Sequence, residues 1–304
     1  MKQLGVMLPA VVVLGLISLN PPVHAQKTVW TVGHGVAFDF NEDDYAAYPA
    51  AIQAAVDTAA PGDKIAVGPG NYIGAKVTKA IELVGSGGET AIVSGPLHPI
   101  MGAMGARVGF VLLNAAGTTV RQFKFFCSAT SMIIAVLVVT SDDVAVEHVS
   151  IQTPLEAINV FGSRRTRIAH NVVTGQGPAK FSAINLLTGA KWGWKGDVSD
   201  NLVAHNTIEN GVGGGIALVA PSDWPFLMTG NTIERNTINN PAGKGIVLTG
   251  DPLRLYGNAI GFNDLRGSGA EVVAASALLA VNTFDRNLGF QPPNQPDRGK
   301  GSVK

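Results

Sequence analysis

The stretch Val203-Ala204-His205-Asn206-Thr207-Ile208 returns along the chain with small changes, and this return decides the fold. The positions that match His205 are 122, 148, 170, 205, 235, 262 and 281, so the steps between copies are 26, 22, 35, 30, 27 and 19 residues. The other copies are Val120–Phe125, Val146–Ile151, Ile168–Val173, Ile233–Ile238, Ile260–Leu265 and Leu279–Phe284. A fixed strand phrase with variable spacers predicts stacked coils, because the strands must stay in register while the outward loops can lengthen.

A second phrase alternates with the first, one copy per period. Its copies are Ala157–Phe161, Ala183–Leu187, Gly215–Val219 and Gly245–Thr249, with a looser copy at Ala270–Ala274. These segments are rich in Val, Ile and Leu, are separated by Gly and Asn, and lack the periodicity of a long helix. One period is too short to bury its own apolar side, so neighbouring coils must cover it. The repeat therefore predicts an all-β solenoid, a single-stranded parallel β-helix.

An Asn recurs at positions 171, 206, 236, 263 and 282. Asn tolerates left-handed backbone geometry and can satisfy the polar groups that a corner exposes. Stacked on coils about 4.7–4.9 Å apart, these amides are expected to hydrogen-bond along the stack. A structural role is thus predicted for them.

Composition narrows the class of protein. Lys and Arg total 22, and Asp and Glu also total 22, so the formal net charge is zero. A general nucleic-acid binder would carry a basic excess, and we therefore expect no nucleic-acid partner. Cys127 is the single cysteine, which excludes an internal disulfide, and its apolar neighbours Phe125 and Phe126 predict a place in the core.

Three parts of the chain are predicted from their composition. Residues 1–25 resemble a signal peptide, with Lys2 at the start, an apolar run and small residues before Gln26. Residues 26–290 form the β-helix domain, and a helix over 46–60 with apolar Ala51, Ile52, Ala55 and Val56 on one side would cap its first coil. Residues 291–304 are predicted to be disordered. We expect a periplasmic or secreted protein with no membrane contact after cleavage.

The segment after this capping helix carries a family resemblance. Ile52–Asp57, then Pro61-Gly62-Asp63-Lys64-Ile65 and Pro69-Gly70-Asn71-Tyr72, resembles the entry segment of pectin-lyase-like right-handed parallel β-helix proteins. Val77–Gly87 continues it into the first coil, and with the repeats it extends over about 46–289. It implies a right-handed helix. Its members include lyases, hydrolases, esterases, epimerases, metal-loading accessory proteins and adhesive surface proteins, so it does not select one function.

The catalytic motifs of that family are incomplete in this chain. Asp142-Asp143 matches one element of the hydrolase pattern and Gly33-His34-Gly35 another, but their order is reversed and no R-I-K follows. The epimerase signature is absent, since Tyr256-Gly257 leads into Asn258-Ala259. The acidic calcium ligands of the lyases are replaced by Asn, Ala and Val. Whether the chain is an enzyme stays open, and we expect no cofactor.

The second phrase predicts a face for ligands. Its Ile and following aliphatic residue point inward, so the residue between them points outward. The loops after these strands carry Trp and cationic residues, which are typical of sugar binding, although the Trp rings covering their own coil is an equal alternative. The predicted ligand-binding residues are Asn159, Arg164, Arg165, Asn185, Lys191, Trp192, Trp194, Trp224 and Arg254. Asp197, Asp223 and Asp251 are the carboxylates placed for acid–base work.

His148, His170 and His205 occupy one slot of three consecutive coils and should stack about 5 Å apart. A shared metal ion is one interpretation, and a line of polar corner residues is the other.

The sequence as a whole predicts a protein that binds a polysaccharide or oligosaccharide on this strand face. Cleavage of that ligand, with a uronic-acid polymer as one candidate, is left open. The alternatives are a non-enzymatic structural or adhesive solenoid and a periplasmic metal-handling accessory protein.

Overall fold

The computed structural model describes residues 28–35, 37–43, 50–99, 102, 105–128, 132–153, 155–175, 181–189, 194–209, 213–240 and 242–290. The predicted signal peptide at 1–25 and the predicted disordered tail at 291–304 lie outside the described residues. Within the described ranges, no helix has the length and apolar character needed to cross a membrane.

The elements are numbered in chain order. They are β1 (Val29–Gly33), β2 (Phe40–Asn41), α1 (Ala51–Thr58), β3 (Lys64–Val67), β4 (Gly70–Ile73), β5 (Lys76–Val77), β6 (Glu82–Val84), a 3-10 helix (Gly87–Glu89), β7 (Thr90–Ser94), β8 (Val108–Leu113), β9 (Thr119–Arg121), β10 (Lys124–Phe126), β11 (Ile134–Val139), β12 (Ala145–Glu147), β13 (Ser150–Thr153), β14 (Ile158–Phe161), β15 (Arg167–Ala169) and β16 (Val172–Gly175). They continue with β17 (Ser182–Leu187), β18 (Val198–Ser199), β19 (Leu202–Ala204), β20 (Thr207–Glu209), β21 (Gly214–Ala220), β22 (Met228–Thr229), β23 (Thr232–Glu234), β24 (Thr237–Asn239), β25 (Lys244–Gly250), β26 (Ala259–Gly261), β27 (Ala270–Val273), α2 (Ser276–Val281) and β28 (Thr283–Asp285).

The strands form three long parallel sheets that run the length of a solenoid. Sheet A has the order β2-β1-β3-β6-β9-β12-β15-β19-β23-β26-β28, sheet B the order β24-β20-β16-β13-β10-β7-β4, and sheet C the order β27-β25-β21-β17-β14-β11-β8-β5. Strands β18 and β22 pair beside them. Each coil visits C, A and B in turn, which confirms the predicted parallel β-helix. The first phrase supplies sheets A and B, and the second supplies sheet C.

In-register pairing explains the repeats. Ile158 of β14 pairs with Ile184 of β17, which pairs with Ile216 of β21 and then Ile246 of β25. Such aliphatic rows from all three sheets are buried in one continuous core, and Cys127 lies there as predicted, 5% exposed. Burial raises the pKa of the Cys127 thiol to about 12, so this cysteine is an inert packing residue.

The N-terminal cap follows the sequence motif that predicted it. Helix α1 spans Ala51–Thr58, shorter than the predicted 46–60, although 44–49 lie outside the described residues. Its predicted apolar stripe, Ala51, Ile52, Ala55 and Val56, is buried against the first coil. The buried Asp63 carboxylate accepts hydrogen bonds from the Thr28 and Ala60 amides and from the Trp30 indole, which ties the helix exit to β1.

Two ladders of buried Asn line the corners of the coils. At the corner between sheets A and B the ladder is Asn171, Asn206, Asn236, Asn263 and Asn287, and where the chain enters sheet A it is Asn201, Asn231, Asn258 and Asn282. Each typical rung accepts from the amide of the coil before it and donates to a backbone carbonyl and to the next Asn. The predicted structural role of these residues is confirmed.

The last copy of the first phrase, Leu279–Phe284, has a different register in the structure from the predicted one. Leu279–Val281, predicted to begin a strand phrase, lie in α2, and Phe284 of β28 pairs with Ile260 of β26. The corner position is therefore Arg286 rather than Val281, and Asn287, not Asn282, continues the first ladder. Asn282 belongs to the second ladder, where it accepts from Asn258. Both ladders carry Asn next to aliphatic residues, so the sequence pattern does not distinguish one ladder from the other.

We expect Asn236→Ala to lower the free energy of unfolding by about 2–4 kcal/mol, because each buried polar group left without a partner costs about 1–3 kcal/mol. The Asn236 side chain accepts from the Asn206 amide and amide side chain and donates to Val203 and Asn263. Urea unfolding measures the change, with Asn239→Ala, an exposed residue of the next strand, as control. Equal stabilities of the two variants would contradict a role for the ladder.

Candidate functional site

The outer surface of sheet C carries the predicted ligand-facing residues. Ile158 and Val160 of β14 point into the core, so Asn159 points outward as predicted. In the register of the sheet Asn159 lies between Leu137 of β11 and Asn185 of β17, and Asn185 pairs in turn with Ala217 of β21. Yet Asn159 is only 3% exposed and Asn185 6%. The strand face at this level is covered rather than open.

A second apolar cluster accounts for part of this cover. Six outward side chains of sheet C and its edge are nearly fully buried: Val108, Val111, Ile134, Leu137, Val139 and Phe161. Trp194 packs on them, with its ring centroid 4.8 Å from that of Phe161 in an edge-on arrangement. Trp194 thus covers the outer face of its own coil and the coil before it. Of the two roles that the sequence left open for the Trp residues, Trp194 has the covering role.

The segment between β7 and β8 reaches the same cluster. Its two ends are joined by an antiparallel bridge between Leu97 and Arg107, and Arg107 donates to the Gly95 carbonyl. His98 in this segment is buried, and its ring lies 6.0 Å from the Trp194 ring. Burial lowers the pKa of His98, so the neutral imidazole is favoured there.

Beside the apolar cluster runs a short polar row that includes a carboxyl group. The Glu156 carboxylate accepts a hydrogen bond of 2.7 Å from the Asn159 amide, and the Asn159 carbonyl oxygen accepts one of 2.8 Å from Asn185. Asn185 also donates to the Ser182 carbonyl. Burial raises the pKa of Glu156, against the opposing effect of the Asn159 bond. A carboxyl group held by an amide row with a raised pKa is a candidate proton donor.

A polar pocket opens at the loops that follow sheet C, and it has a volume of about 310 Å³. It is lined by Ala116, Thr140, Asp142, Gly162, Arg164, Lys195, Gly196 and Asp197. The loops from two coils approach closely here, because an added Cβ on Gly196 would lie 2.8 Å from the Gly162 carbonyl oxygen, and both glycines have positive φ. Arg164 and Lys195 both line the pocket, and Lys195 directly follows Trp194 in the chain.

Asp142 and Asp143 position the cationic side of the pocket. The Arg164 amide donates to Asp142 at 2.8 Å, and the Arg165 guanidinium binds Asp143 through two bonds of 2.6 and 2.8 Å. The Arg165 contact holds the pKa of Asp143 below its usual range. Arg164 has the looser contact, with its Nε 3.6 Å from Asp142 and half of its side chain exposed. Arg164 therefore retains donors for a ligand, whereas Arg165 is used within the protein.

The other predicted site residues have different surroundings. Asp197 lines the pocket, but it also accepts from the Leu227 amide at 2.9 Å. Asp251 accepts from the Leu253 amide within its own turn, while Asp223 is exposed. Trp224, 8% exposed, and Arg254 lie on the loops of later coils and do not line the pocket. Lys191 and Trp192 lie outside the described residues.

The three histidines form the predicted stack. The ring centroids of His148 and His170 are 5.0 Å apart with planes at 4°, and those of His170 and His205 are 4.9 Å apart at 9°. In the part of the chain that the structure describes, no three His, Cys, Asp or Glu side chains are grouped to hold a metal ion. The stacking gives no support to the metal interpretation.

Sequence reasoning missed Glu156 and His98 and did not select Lys195 for the site. Glu156 directly precedes the second phrase in one coil, where the other copies have Ser182, Gly214 and Lys244, and this acidic exception was the available signal. His98 lies in an enlarged loop between two strands, which carried no repeat to compare. The contact between Gly162 and Gly196 that makes the pocket depends on loop conformation.

The comparisons agree with this architecture. A family model described as "Right handed beta helix region" matches residues 106–287. The chain belongs to this right-handed β-helix family. The predicted pectin-lyase-like resemblance is confirmed at the level of fold, including the right-handed course of the coils.

Solved structures are similar to this β-helix at low sequence identity. A Geobacillus virus E2 protein, ORF18, has a TM-score of 0.51 at 12% identity, over 78% of this chain and 56% of that one. The tailspike protein of E. coli bacteriophage HK620 has a TM-score of 0.51 at 10% identity, over 85% and 49%. An alginate lyase from Paenibacillus sp. str. FPU-7 has a TM-score of 0.44 at 14% identity, over 79% and 95%. No curated protein matches the sequence.

We expect Glu156→Gln to stabilise the β-helix at neutral pH and to leave stability unchanged in acid. The raised pKa means that the folded state holds the Glu156 proton more tightly than the unfolded chain does. Stability is therefore fully present below the unfolded pKa of about 4.3 and falls as pH rises toward the folded pKa. The amide oxygen of Gln can still accept from Asn159. Melting temperatures of both proteins between about pH 4 and 7.5 measure the difference. A constant difference over that range would contradict the raised pKa.

Proposed function

We propose that the protein is exported to the periplasm or secreted, and that it binds a polysaccharide whose acidic sugar units enter the pocket beside Trp194. The observation that carries this proposal is that Arg164 and Lys195, from closely approaching loops of two coils, line one pocket and that Lys195 directly follows Trp194. Export is supported by the composition of residues 1–25.

The pocket has the properties of a small-ligand site. Its volume of about 310 Å³ lies at the lower end of ligand pockets, which are about 300–1,000 Å³. Arg164 and Lys195 offer cationic donors for a carboxylate, and Thr140 and the two Asp residues offer hydrogen-bonding groups for hydroxyls. The lining residues come from the loops of four successive coils, so they follow one another along the solenoid axis. A polymer could thus continue past the pocket on both sides.

The scaffold is compatible with such a ligand. The tailspike protein with a similar fold was solved in complex with a hexasaccharide. The likeness itself concerns the fold, so the assignment here depends on the pocket and not on that ligand.

Cleavage of the bound polymer is a second candidate function, favoured by one observation. Glu156 has a raised pKa and lies just before the start of β14, whose other end leads into the pocket loop at Gly162. Glycoside hydrolysis requires a general acid, and a carboxyl group whose pKa is raised is suited to that role. Release of reducing ends from a bound polymer, lost in Glu156→Gln while binding remains, would establish an enzyme. Binding without turnover would leave a carbohydrate-binding protein.

We expect Arg164→Ala and Lys195→Ala each to weaken binding of a uronic-acid oligosaccharide by about tenfold or more, because a hydrogen bond to a charged group contributes about 1.5–3 kcal/mol. Titration calorimetry measures the affinity. Arg266→Ala is the control, since Arg266 is an equally exposed arginine that binds Asp264 on a later coil. The structural or adhesive alternative would be favoured if the unsubstituted protein bound none of a panel of glycans.

A further inference from the structure

One exposed residue per coil forms a row at the corner where sheet A passes to sheet B. Every member has a left-handed backbone, with φ between 48° and 63°, and the backbone N–H of each member before Arg286 donates to the next coil. We name this set the corner row, and its members are Gln122, His148, His170, His205, Arg235, Phe262 and Arg286. It lies one sheet away from the pocket, which is at the corner between sheets C and A.

The planar side chains of the corner row stack on one another. The three imidazoles are parallel within 9° at spacings of 4.9 and 5.0 Å. Further along, the guanidinium carbons of Arg235 and Arg286 lie 6.0 and 5.5 Å from the Phe262 ring. Because the rings stack through their faces, their edges and ring nitrogens are left for solvent. The result is a repeating line of nitrogen donors along the axis of the solenoid.

The fold itself does not require imidazole at this corner. Gln122, Arg235 and Phe262 adopt the same backbone conformation in other coils. A buried Asn follows His170 and His205, and Val149, which follows His148, donates its backbone N–H to Asn171, so the Asn ladder and not the imidazoles supplies the hydrogen bonds of the corner. Three consecutive imidazoles therefore give the surface a chemical property that the architecture does not need.

That property is the presence of imidazole, the side chain whose ordinary pKa of about 6.5 lies between pH 5 and 8. The pKa of His170 is lowered by burial first, then by His148, His205 and Arg167, and is raised by Glu147. The charged side chains on the strands that meet at this corner, in these and the adjoining coils, are Arg121, Lys124, Glu147, Arg167, Glu209, Glu234 and Arg235. Glu147 is bound to Arg167 at 2.9 Å. Protonation of the imidazoles therefore places positive charges in a stack next to the permanently charged Arg235. A bound anion would reduce the repulsion between them.

We propose that the corner row is a second binding site, for an acidic polysaccharide, which it holds when its histidines are protonated. A carboxylate accepts two hydrogen bonds at once, and two neighbouring imidazoles, with ring centroids 4.9–5.0 Å apart, provide the two N–H donors. The donors repeat along the row and Arg235 and Arg286 extend it, so a chain of carboxylates gains at each step. The parallel rings hold their nitrogens side by side rather than converging, which disfavours a metal ion. Zero net charge disfavours nucleic acid.

The test is calorimetric titration of the full chain with polygalacturonate at low ionic strength, at about pH 5 and about pH 7.5. We expect binding that is at least tenfold tighter at the lower pH. The combined variant His148→Asn, His170→Asn and His205→Asn should lose this gain, because Asn keeps the left-handed corner but does not titrate. Gln122→Asn introduces the same residue into the same row without removing a histidine, and this variant should bind like the unsubstituted protein. Melting curves establish that both variants are folded.

A second readout separates this site from the pocket. Arg164→Ala should leave the acid-dependent component intact, and polygalacturonate should raise the pKa of the three imidazoles in histidine NMR titrations. The proposal is overturned by an acid-dependent gain that persists in the triple variant, by equal binding of neutral dextran or of single-stranded DNA, or by no binding at about pH 5. Loss of the acid-dependent component in Arg164→Ala alone would assign it to the pocket and would also overturn the corner site.

Discussion

The parallel register between successive coils is the constraint on which the rest of the structure depends. Each strand hydrogen-bonds to the equivalent strand of the next coil, so every side chain lies about 4.7–4.9 Å from its counterpart. Where successive coils carry the same residue type at one position, the side chains form a line along the solenoid. Aliphatic lines such as Ile158, Ile184, Ile216 and Ile246 make the core. Amide lines satisfy the corners, where backbone groups would otherwise be buried without partners. Stability comes from repetition of these two lines, without any disulfide.

The same constraint places chemistry on the surface. A titratable residue repeated at one corner becomes a row of interacting groups, as the three stacked imidazoles show. The loop after β17 is longer than the corner loops of the three coils before it, and the pocket lies where this loop meets them. Sheet C is the exception among the surfaces, because its outer side carries apolar residues that Trp194 covers. The covered face and the open loops next to it explain why ligand contacts are expected at the loops.

Electrostatics distinguishes the carboxyl groups of the site. Asp143 is fixed by Arg165 and its pKa is lowered, so it is an anion that orients a cation. Glu156 is bonded to a neutral amide and its pKa is raised by burial, so it holds its proton to higher pH. Asp197 and Asp251 accept backbone amides and shape their loops. Of the four, Glu156 has the environment that proton donation requires, and it was not visible as such from residue spacing.

The sequence by itself determined the solenoid, its three lines of aliphatic residues, the buried Asn, the place of Cys127 and the stacking of the three histidines. These features follow from the repeat, since strand pairing converts equal spacing into neighbourhood. It failed at the last coil, where Asn258 and Asn282 belong to one ladder and Asn263 and Asn287 to another, and spacing cannot tell the two apart. Only the tertiary structure decided that Asn159 and Asn185 are covered, that Glu156 bonds to Asn159, and that Arg164 and Lys195 line one pocket. These facts depend on how loops of different lengths fold back over the sheet, and loop conformation is set by long-range contacts that no repeat encodes.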